Sequence, residues 1–205
     1  MQVLIIGANG SVAKLVTEGL LQNENVNLKL YLRNGKRLIK LQSERTQIIE
    51  GDALDKEALK KAMANIDVVY ANLAGSELPK MAQTIVNAMN ETGIKRLIWI
   101  SAYGVYQKEY KEVPNRNFGS VSSALKPYAD SVKVIESSGL DYTIIRPQWF
   151  SNADEVDYEL TKKGEVFKNP DAQISRKSIA HLVVRLCLEK DLGIKESFGI
   201  NKPAK

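Results

Sequence analysis

Residues 7–13 read Gly-Ala-Asn-Gly-Ser-Val-Ala and directly follow the apolar run Val-Leu-Ile-Ile at residues 3–6. An apolar run that ends in glycine and continues with helical periodicity predicts a strand, a tight turn and a helix. Gly7 allows the tight turn, Gly10 allows another group to approach the backbone closely, and the small Ala13 lets the helix lie near the strand. This unit decides the fold, because the rest of the chain repeats its strand-helix order.

The repeat is visible as apolar runs that alternate with segments of helical period. Further strands are predicted at Leu28–Leu32, Gln47–Ile49, Asp67–Ala71, Leu97–Ile100 and Tyr142–Ile145, and helices near residues 11–22, 55–64, 79–92, 124–138 and 178–190. The strands are apolar on both faces, as expected for parallel strands covered by helices on both sides. We therefore predict an α/β fold of Rossmann type, a doubly wound parallel sheet in a single domain of residues 1–205.

The pattern changes after Arg146-Pro147, where the chain becomes rich in loops. Residues 147–176, with a short strand predicted at Val166–Phe167, are expected to form a small C-terminal lobe over the sheet that contacts the substrate. A last strand is predicted at Ser197–Ile200. Trp149 and Phe150 begin the lobe, either as walls of a pocket for a flat substrate or as ordinary packing residues.

Composition and charge exclude several classes of protein. The chain has 205 residues and a net charge of +5, but its basic residues are scattered pairs with no stripe that would indicate nucleic-acid binding. No apolar run is long enough to cross a membrane. The single cysteine, Cys187, fits a reducing compartment, so we expect a cytoplasmic protein. Cys187 and the lone His181 are expected to be packing residues, and no metal site is predicted.

The glycine turn is the strongest functional signal in the chain. A helix that begins directly after such a turn presents free N–H groups and a partial positive charge to phosphate. The sequence therefore predicts that a dinucleotide pyrophosphate binds here, with contacts from Gly7, Ala8, Asn9, Gly10, Ser11 and Val12. A tight turn without a ligand is the alternative.

The end of the second strand indicates which nicotinamide cofactor is bound. NAD is usually recognised there by an acidic residue that binds the ribose 2′-hydroxyl. This chain has Arg33 at that position, with Lys36 and Arg37 shortly after it. A guanidinium suits a 2′-phosphate, so NADP (as NADPH) is favoured over NAD. Solubilising charges on an exposed loop are the alternative.

Two more strand ends are expected at the same crevice, since ligands of open α/β sheets gather at the carboxyl ends of the strands. Asp52 and Ala53 follow the third strand. Asp52 either accepts a hydrogen bond from the adenine amino group or caps the helix that begins near Asp55. Asn72, Leu73, Ala74 and Gly75 end the fourth strand with small residues beside the expected cofactor path.

These residues together resemble the short-chain dehydrogenase/reductase superfamily, and most closely its atypical, NmrA-like NAD(P)H-binding branch. The resemblance covers nearly the whole chain. It is carried by residues 7–13, Arg33, residues 51–53, Ser101 and Ile174-Ser175-Arg176, and most specifically by the segment Ser138–Pro147 followed by Gln148-Trp149-Phe150. In relatives the backbone after the Arg-Pro pair borders the nicotinamide, which implies that Pro147 and Gln148 contact the cofactor.

The chain departs from the superfamily at its catalytic pair, a Tyr-x-x-x-Lys on one helix face, in which the lysine makes the tyrosine a better proton relay. No such pair falls within a predicted helix; the one Tyr-x-x-x-Lys spacing, Tyr158 to Lys162, lies in the loop-rich lobe. Tyr128 and Lys133 are five residues apart, so on a regular helix they point roughly 140° apart. Ser101 either hydrogen-bonds a substrate carbonyl or the nicotinamide amide, or it caps local backbone. Tyr128 is either a substitute acid or an aromatic packing residue at the start of its helix. Ser101 and Tyr128 are the predicted catalytic residues.

Two functions fit this pattern. The first is an NADPH-dependent reductase of a small conjugated acceptor, a quinone, flavin or enone, because delocalisation reduces the need for a proton relay. The resemblance also implies a second, a non-catalytic NADP(H) sensor or regulator that binds a protein partner. The expected partners are an unidentified small-molecule substrate and, in the second case, a protein or another copy of the chain.

Overall fold

The computed structural model describes residues 1–106 and 119–204. The strands are β1 (Gln2–Ile6), β2 (Asn27–Leu32), β3 (Thr46–Glu50), β4 (Val68–Ala71), β5 (Arg96–Ile100), β6 (Asp141–Pro147), β7 (Phe150–Ser151), β8 (Glu159–Thr161), β9 (Ile174–Ser175) and β10 (Glu196–Asn201). The helices are α1 (Ser11–Leu21), α2 (Lys56–Ala62), α3 (Leu78–Thr92), α4 (Gly119–Glu136) and α5 (Arg176–Leu188), with a 3-10 helix at Gly35–Leu41.

The described strands form one large sheet in the order β3-β2-β1-β4-β5-β6-β10-β8 and a small sheet of β7 and β9. All neighbours in the large sheet are parallel except β8, which runs antiparallel to β10. The strand order reverses at β1, which pairs with β2 on one side and β4 on the other. This is the Rossmann-type arrangement that the sequence predicts, and its crevice opens at the carboxyl ends of β1 and β4.

Both faces of the sheet are covered by helices. Within β1, Val3 and Ile5 pack into a core with α1 and α5, whereas Leu4 and Ile6 pack into a second core with α2, α3 and α4. The two cores explain why the strands are apolar without alternation. No helix in the described ranges is long and apolar enough to cross a membrane.

Two predicted elements differ in the structure. The prediction of a strand at Val166–Phe167 is wrong, because the edge strand lies at Glu159–Thr161. Phe167 lies outside the sheet and stacks its ring on that of Tyr103, with the ring centroids 4.1 Å apart. The predicted helix at 124–138 begins earlier, at Gly119, so Pro127 lies inside α4. Proline removes a single backbone donor, and the buried face of α4 on the sheet sustains the helix across it.

A buried arginine ties the end of α5 to the centre of the sheet. Arg96, at the start of β5, donates through one terminal nitrogen to Thr143 Oγ1 (2.7 Å) and the Asp141 carbonyl (3.1 Å). Its other terminal nitrogen donates to the carbonyls of Leu186 (3.2 Å) and Leu192 (2.9 Å). The last turn of a helix leaves carbonyls without intrahelical partners, and Arg96 satisfies one of them here.

Candidate cofactor and active site

A cleft of about 480 Å³ opens at the carboxyl ends of β1–β4. It is lined by Ile6, Gly7, Asn9, Gly10, Tyr31, Leu32, Arg33, Asn34, Arg37, Gly51, Asp52, Ala53, Asn72, Leu73, Ala74 and Met81. Its position is the topological switch point of the sheet, where ligands of this fold class bind.

The glycine turn is packed tightly against Asn72, through backbone at Gly7 and through the Asn72 side chain at Gly10. Gly7 has a φ of +79°, and a Cβ there would lie 2.2 Å from the carbonyl oxygen of Asn72. A Cβ on Gly10 would lie 2.1 Å from Asn72 Nδ2. The turn is also fixed by a hydrogen bond from the Gly7 amide to the Tyr31 carbonyl (2.9 Å). Asn72 thus buttresses the turn, a role that sequence reasoning missed.

The first turn of α1 is free to receive an anion. Gly10 is the N-cap and provides no side-chain hydrogen bond, and the first turn contains no acidic residue. The N–H groups at a helix start have no intrahelical partner, so they point toward whatever binds there. This geometry fits a pyrophosphate, as the sequence predicts for Ser11 and Val12.

Two arginines bring positive charge to the other end of the cleft. Arg33 and Arg37 both line it, and neither side chain has a hydrogen bond or ion pair within residues 1–106 and 119–204. Lys36 does not line the cleft. Of the two basic residues that follow Arg33 in this segment, Arg37 is therefore the better placed to bind an anion together with Arg33. The Glu50 carboxylate accepts a hydrogen bond from the Gly35 amide (2.8 Å), which fixes the 3-10 helix that carries Arg37.

Asp52 lines the cleft and does not cap α2. Asp55 is the N-cap, since its carboxylate accepts a hydrogen bond from the Ala58 amide (3.0 Å), so the capping alternative for Asp52 is wrong. Within the described residues, the Asp52 carboxylate accepts one hydrogen bond, from the Leu54 amide to Oδ1 (2.9 Å). Its other carboxylate oxygen is thus available to a ligand.

Ser101 follows β5 and carries a hydroxyl without a partner. The side chain is 4% exposed, and Oγ makes no hydrogen bond in the structure. The explanation that Ser101 caps local backbone is therefore wrong. A buried hydroxyl without a partner is costly, so its retention at a strand end is typical of a site that binds a ligand.

Tyr128 and Lys133 do not form a catalytic pair. Tyr128 lies well inside α4, not at its start, and its ring packs partly buried against the core on that face. Burial raises the pKa of Tyr128 above its usual value of 10.0. The Lys133 ammonium lies 2.9 Å from Asp130 Oδ1 on the exposed side. Tyr128 therefore holds its proton more tightly than the tyrosine of a standard pair.

The Arg-Pro segment anchors the lobe to the sheet. Arg146 is fully buried, donates from Nε to Ser197 Oγ (3.1 Å) and donates from a terminal nitrogen to the Lys162 carbonyl (3.1 Å). Gln148 donates to the Asn169 carbonyl (2.5 Å) and accepts at Oε1 from the Lys202 amide (3.1 Å). Both ends of the Gln148 side chain are thus engaged within the protein.

The predicted site residues divide into two groups. Those that line the cleft are Gly7, Asn9, Gly10, Arg33, Asp52, Ala53, Leu73 and Ala74; those outside its lining are Ala8, Ser11, Val12, Gly75, Ser101, Tyr128, Pro147 and Gln148. The first group lies together at the carboxyl ends of β1–β4. Tyr31 is among the lining residues that the sequence reasoning missed, whereas Asn72 lies beside the cleft as its position after the fourth strand predicts. Asn72 carries the same signal as Leu73, a position directly after a buried strand. No cluster able to hold a metal ion occurs within the described residues.

Comparison with known proteins fits this geometry. A family described as NAD(P)H-binding matches residues 7–190. The chain belongs to this NAD(P)H-binding family. That agrees with the resemblance to the atypical short-chain dehydrogenase/reductases; the narrower NmrA-like assignment stays a prediction.

Solved structures cover the whole fold. A Rossmann-fold NAD(P)-binding family protein from Shigella flexneri is 36% identical, with a TM-score of 0.85 over 100% of this chain and 94% of that one. A short-chain dehydrogenase/reductase from Veillonella parvula, in complex with NADP, is 27% identical, with a TM-score of 0.84 over 99% and 95% of the two chains. The family and the fold are therefore shown together.

Curated relatives have varied names and lengths. An uncharacterized sugar epimerase from Bacillus subtilis is 28% identical over 93% of this chain and 90% of its own length. An isoflavone reductase-like protein from Olea europaea is 24% identical over 73% of this chain. The matched part is 49% of that plant protein, so the chain spans about half the length of such relatives.

Proposed function

We propose that this protein is an NADPH-dependent reductase of a small conjugated acceptor of the quinone, flavin or enone class. The observation that carries the cofactor assignment is the pair Arg33 and Arg37, two guanidinium groups without described partners in one cleft with the glycine turn. A 2′-phosphate is the group that distinguishes NADP from NAD, and arginine binds it with two parallel hydrogen bonds.

Different residues of the site bind different parts of the cofactor. The amides at the start of α1 hold the pyrophosphate, Arg33 and Arg37 hold the 2′-phosphate, and the free carboxylate oxygen of Asp52 accepts from the adenine amino group. Pro147 and Gln148 border the nicotinamide with their backbone. The first three assignments use donors and acceptors that have no partner among the described residues. The assignment of Pro147 and Gln148 rests on the family resemblance.

The acceptor class follows from the missing proton relay. When bound, NADPH supplies a hydride and leaves as NADP⁺. Ser101 donates a hydrogen bond to the acceptor oxygen or the nicotinamide amide, and Tyr128 is the candidate second donor. Because burial raises the pKa of Tyr128, the phenol polarises an acceptor but releases its proton reluctantly. A conjugated acceptor spreads the incoming charge and takes its proton from solvent, so it suits this site.

The cofactor assignment is tested by titrating the protein with NADPH and with NADH. We expect NADPH to bind more tightly by on the order of tenfold or more, and Arg33→Ala to remove most of that preference. Lys36→Ala is the matched control, since it removes the same charge from the same loop outside the cleft. Equal binding of the two dinucleotides by the wild type would refute the assignment.

The reaction is tested by following NADPH absorbance during several turnovers with a panel of quinones, oxidised flavins and enones. We expect oxidation that depends on the added acceptor and is slowed in Ser101→Ala. A panel that gives no rate above buffer, with NADPH bound, would exclude the reductase proposal.

The geometry around Tyr128 favours one other function, a non-catalytic NADP(H)-binding regulator. Since Tyr128 is separated from the exposed Lys133, no described helix carries the standard catalytic pair. This alternative predicts cofactor binding without turnover, together with capture of a protein partner that differs between the NADP⁺- and NADPH-loaded forms. Equal capture by the apo and loaded forms would count against it.

A further inference from the structure

Arg176, the first residue of α5, joins two parts of the molecule that are far apart in sequence. Its Nε donates to Ser11 Oγ (3.1 Å). One terminal nitrogen donates to the Ser151 carbonyl (3.2 Å) and to Asn152 Oδ1 (2.7 Å). Ser11 begins the helix behind the glycine turn, whereas Ser151 and Asn152 belong to the lobe. One guanidinium therefore touches both the start of α1 and the lobe.

The charge on Arg176 is not neutralised by the described protein. No carboxylate lies within ion-pair distance of it, whereas its neighbour Lys177 pairs with Asp154. Its second terminal nitrogen makes no hydrogen bond within residues 1–106 and 119–204. The guanidinium lies over the ring of Phe150, 5.2 Å from its centroid, which holds the group in place without neutralising it.

The surroundings of Arg176 add more positive potential. Ser11 stands at the start of α1, where the helix dipole is positive and the first turn has no acidic side chain or side-chain cap. A fixed guanidinium with free N–H donors beside free helix amides is an incomplete anion site. An anion that bridged the two would satisfy both sets of donors.

We infer that Arg176 binds the diphosphate of the dinucleotide, together with the amides at the start of α1. The inference rests on the proposed NADP(H) site and adds a ligand from outside the glycine turn. Since the opposite side of the guanidinium is bonded to Ser151 and Asn152, diphosphate binding also fixes the lobe segment that carries Phe150. Arg176 is thus a positioning residue for the substrate side and a direct ligand on the cofactor side.

The inference is tested by measuring dissociation constants for two ligands, NADP⁺ and adenosine 2′-monophosphate, by calorimetry. The second ligand keeps the adenine, ribose and 2′-phosphate but has no diphosphate. We expect Arg176→Ala to weaken NADP⁺ on the order of tenfold and to leave adenosine 2′-monophosphate within twofold. Arg33→Ala should weaken both ligands.

Arg185→Ala is the matched control, because it removes one arginine from the same helix at a residue that pairs with Glu189 on the exposed surface. It should bind both ligands like the wild type. Arg176→Gln gives a second variant that loses the charge but keeps side-chain donors for Ser11 and Ser151, in case the alanine variant folds poorly.

The outcomes separate this inference from the proposed function. If the wild type binds neither ligand, the NADP(H) assignment fails and this inference fails with it. If the wild type binds both and the Arg176 variants bind NADP⁺ equally well, the NADP(H) site stands and the role of Arg176 is wrong. Equal weakening of both ligands also overturns it, because the loss would then not depend on the diphosphate.

Discussion

The glycine turn of residues 7–13 and the lobe of residues 147–176 are built in opposite ways. The turn is fixed by its neighbours in the sheet, with Gly7 and Gly10 pressed against Asn72. The lobe is held by single polar side chains that reach across the chain, such as Arg146 to the Lys162 carbonyl and Gln148 to the Asn169 carbonyl. The turn resists any added atom, whereas the lobe depends on keeping particular hydrogen bonds.

The difference has a functional consequence. The glycine turn, which we propose binds the part common to both dinucleotides, is made from backbone and small residues, which tolerate little change. The lobe, which we propose lies over the nicotinamide, is attached by a few side-chain hydrogen bonds, so its shape can vary where those bonds are kept. Substitutions in the two regions should therefore separate cofactor binding from substrate turnover.

The largest effect is expected from Gly7→Ala. Besides the unfavourable φ, its Cβ would lie 2.2 Å from a backbone oxygen, so the turn must move. We expect NADPH binding to weaken by at least roughly a hundredfold, measured by titration. Gly93→Ala is the control: it has a φ of +77° but no atom within 4 Å of the added Cβ. It should lose about 1 kcal/mol of stability with normal binding.

Arg146→Met tests the lobe. The buried partners of Arg146 would lose their donors, so the free energy of unfolding should fall by about 3 kcal/mol in chemical denaturation. Adenosine 2′-monophosphate should still bind normally, while acceptor turnover is lost. Lys162→Ala keeps the carbonyl that Arg146 uses and should behave like the wild type. Loss of nucleotide binding in Arg146→Met would show that the two regions are not separable.

Ser101→Ala should lower turnover while raising stability. It removes a donor to the acceptor or nicotinamide, which should cost about tenfold in turnover. It also removes a buried hydroxyl without a partner, so unfolding should require about 1 kcal/mol more. Ser131→Ala, which deletes a buried hydroxyl bonded to the Tyr128 carbonyl (2.7 Å), should instead lose stability and keep its turnover.

Tyr128→Phe is expected to have the smallest effect, less than about threefold on turnover, because the buried phenol is a poor proton relay. Burial raises its pKa above 10.0, so the phenol stays protonated at neutral pH. Its contribution to stability should be constant there and decline only as the pH rises above 10. A turnover inflection near neutral pH that disappears in Tyr128→Phe would identify Tyr128 as the acid after all.

The contrast between the glycine turn and the lobe also explains which features of the structure could be predicted from the sequence. The strands, the glycine turn and Arg33 are predictable because each depends on a local pattern. Asn72 as a buttress and Arg146 as an anchor depend on which distant backbone comes close, and no spacing rule contains that information. Phe167 was misassigned to a strand for the same reason, since an apolar residue that stacks on Tyr103 resembles one in a sheet. The sequence predicts too late a start for α4, because local patterns disfavour a proline such as Pro127 inside a helix and do not contain the tertiary contacts that sustain it.

Arg96 and β10 also determine when the central sheet can finish folding during synthesis of the chain. The strand that pairs with β6 is β10, and the carbonyls that accept from Arg96 belong to Leu186 and Leu192. A nascent chain that has emerged only through β6 therefore exposes an apolar strand edge and a guanidinium without these partners. Both become covered only after β10 has left the ribosome, so during the interval between the synthesis of β6 and that of β10 this edge of the growing polypeptide is open to aggregation.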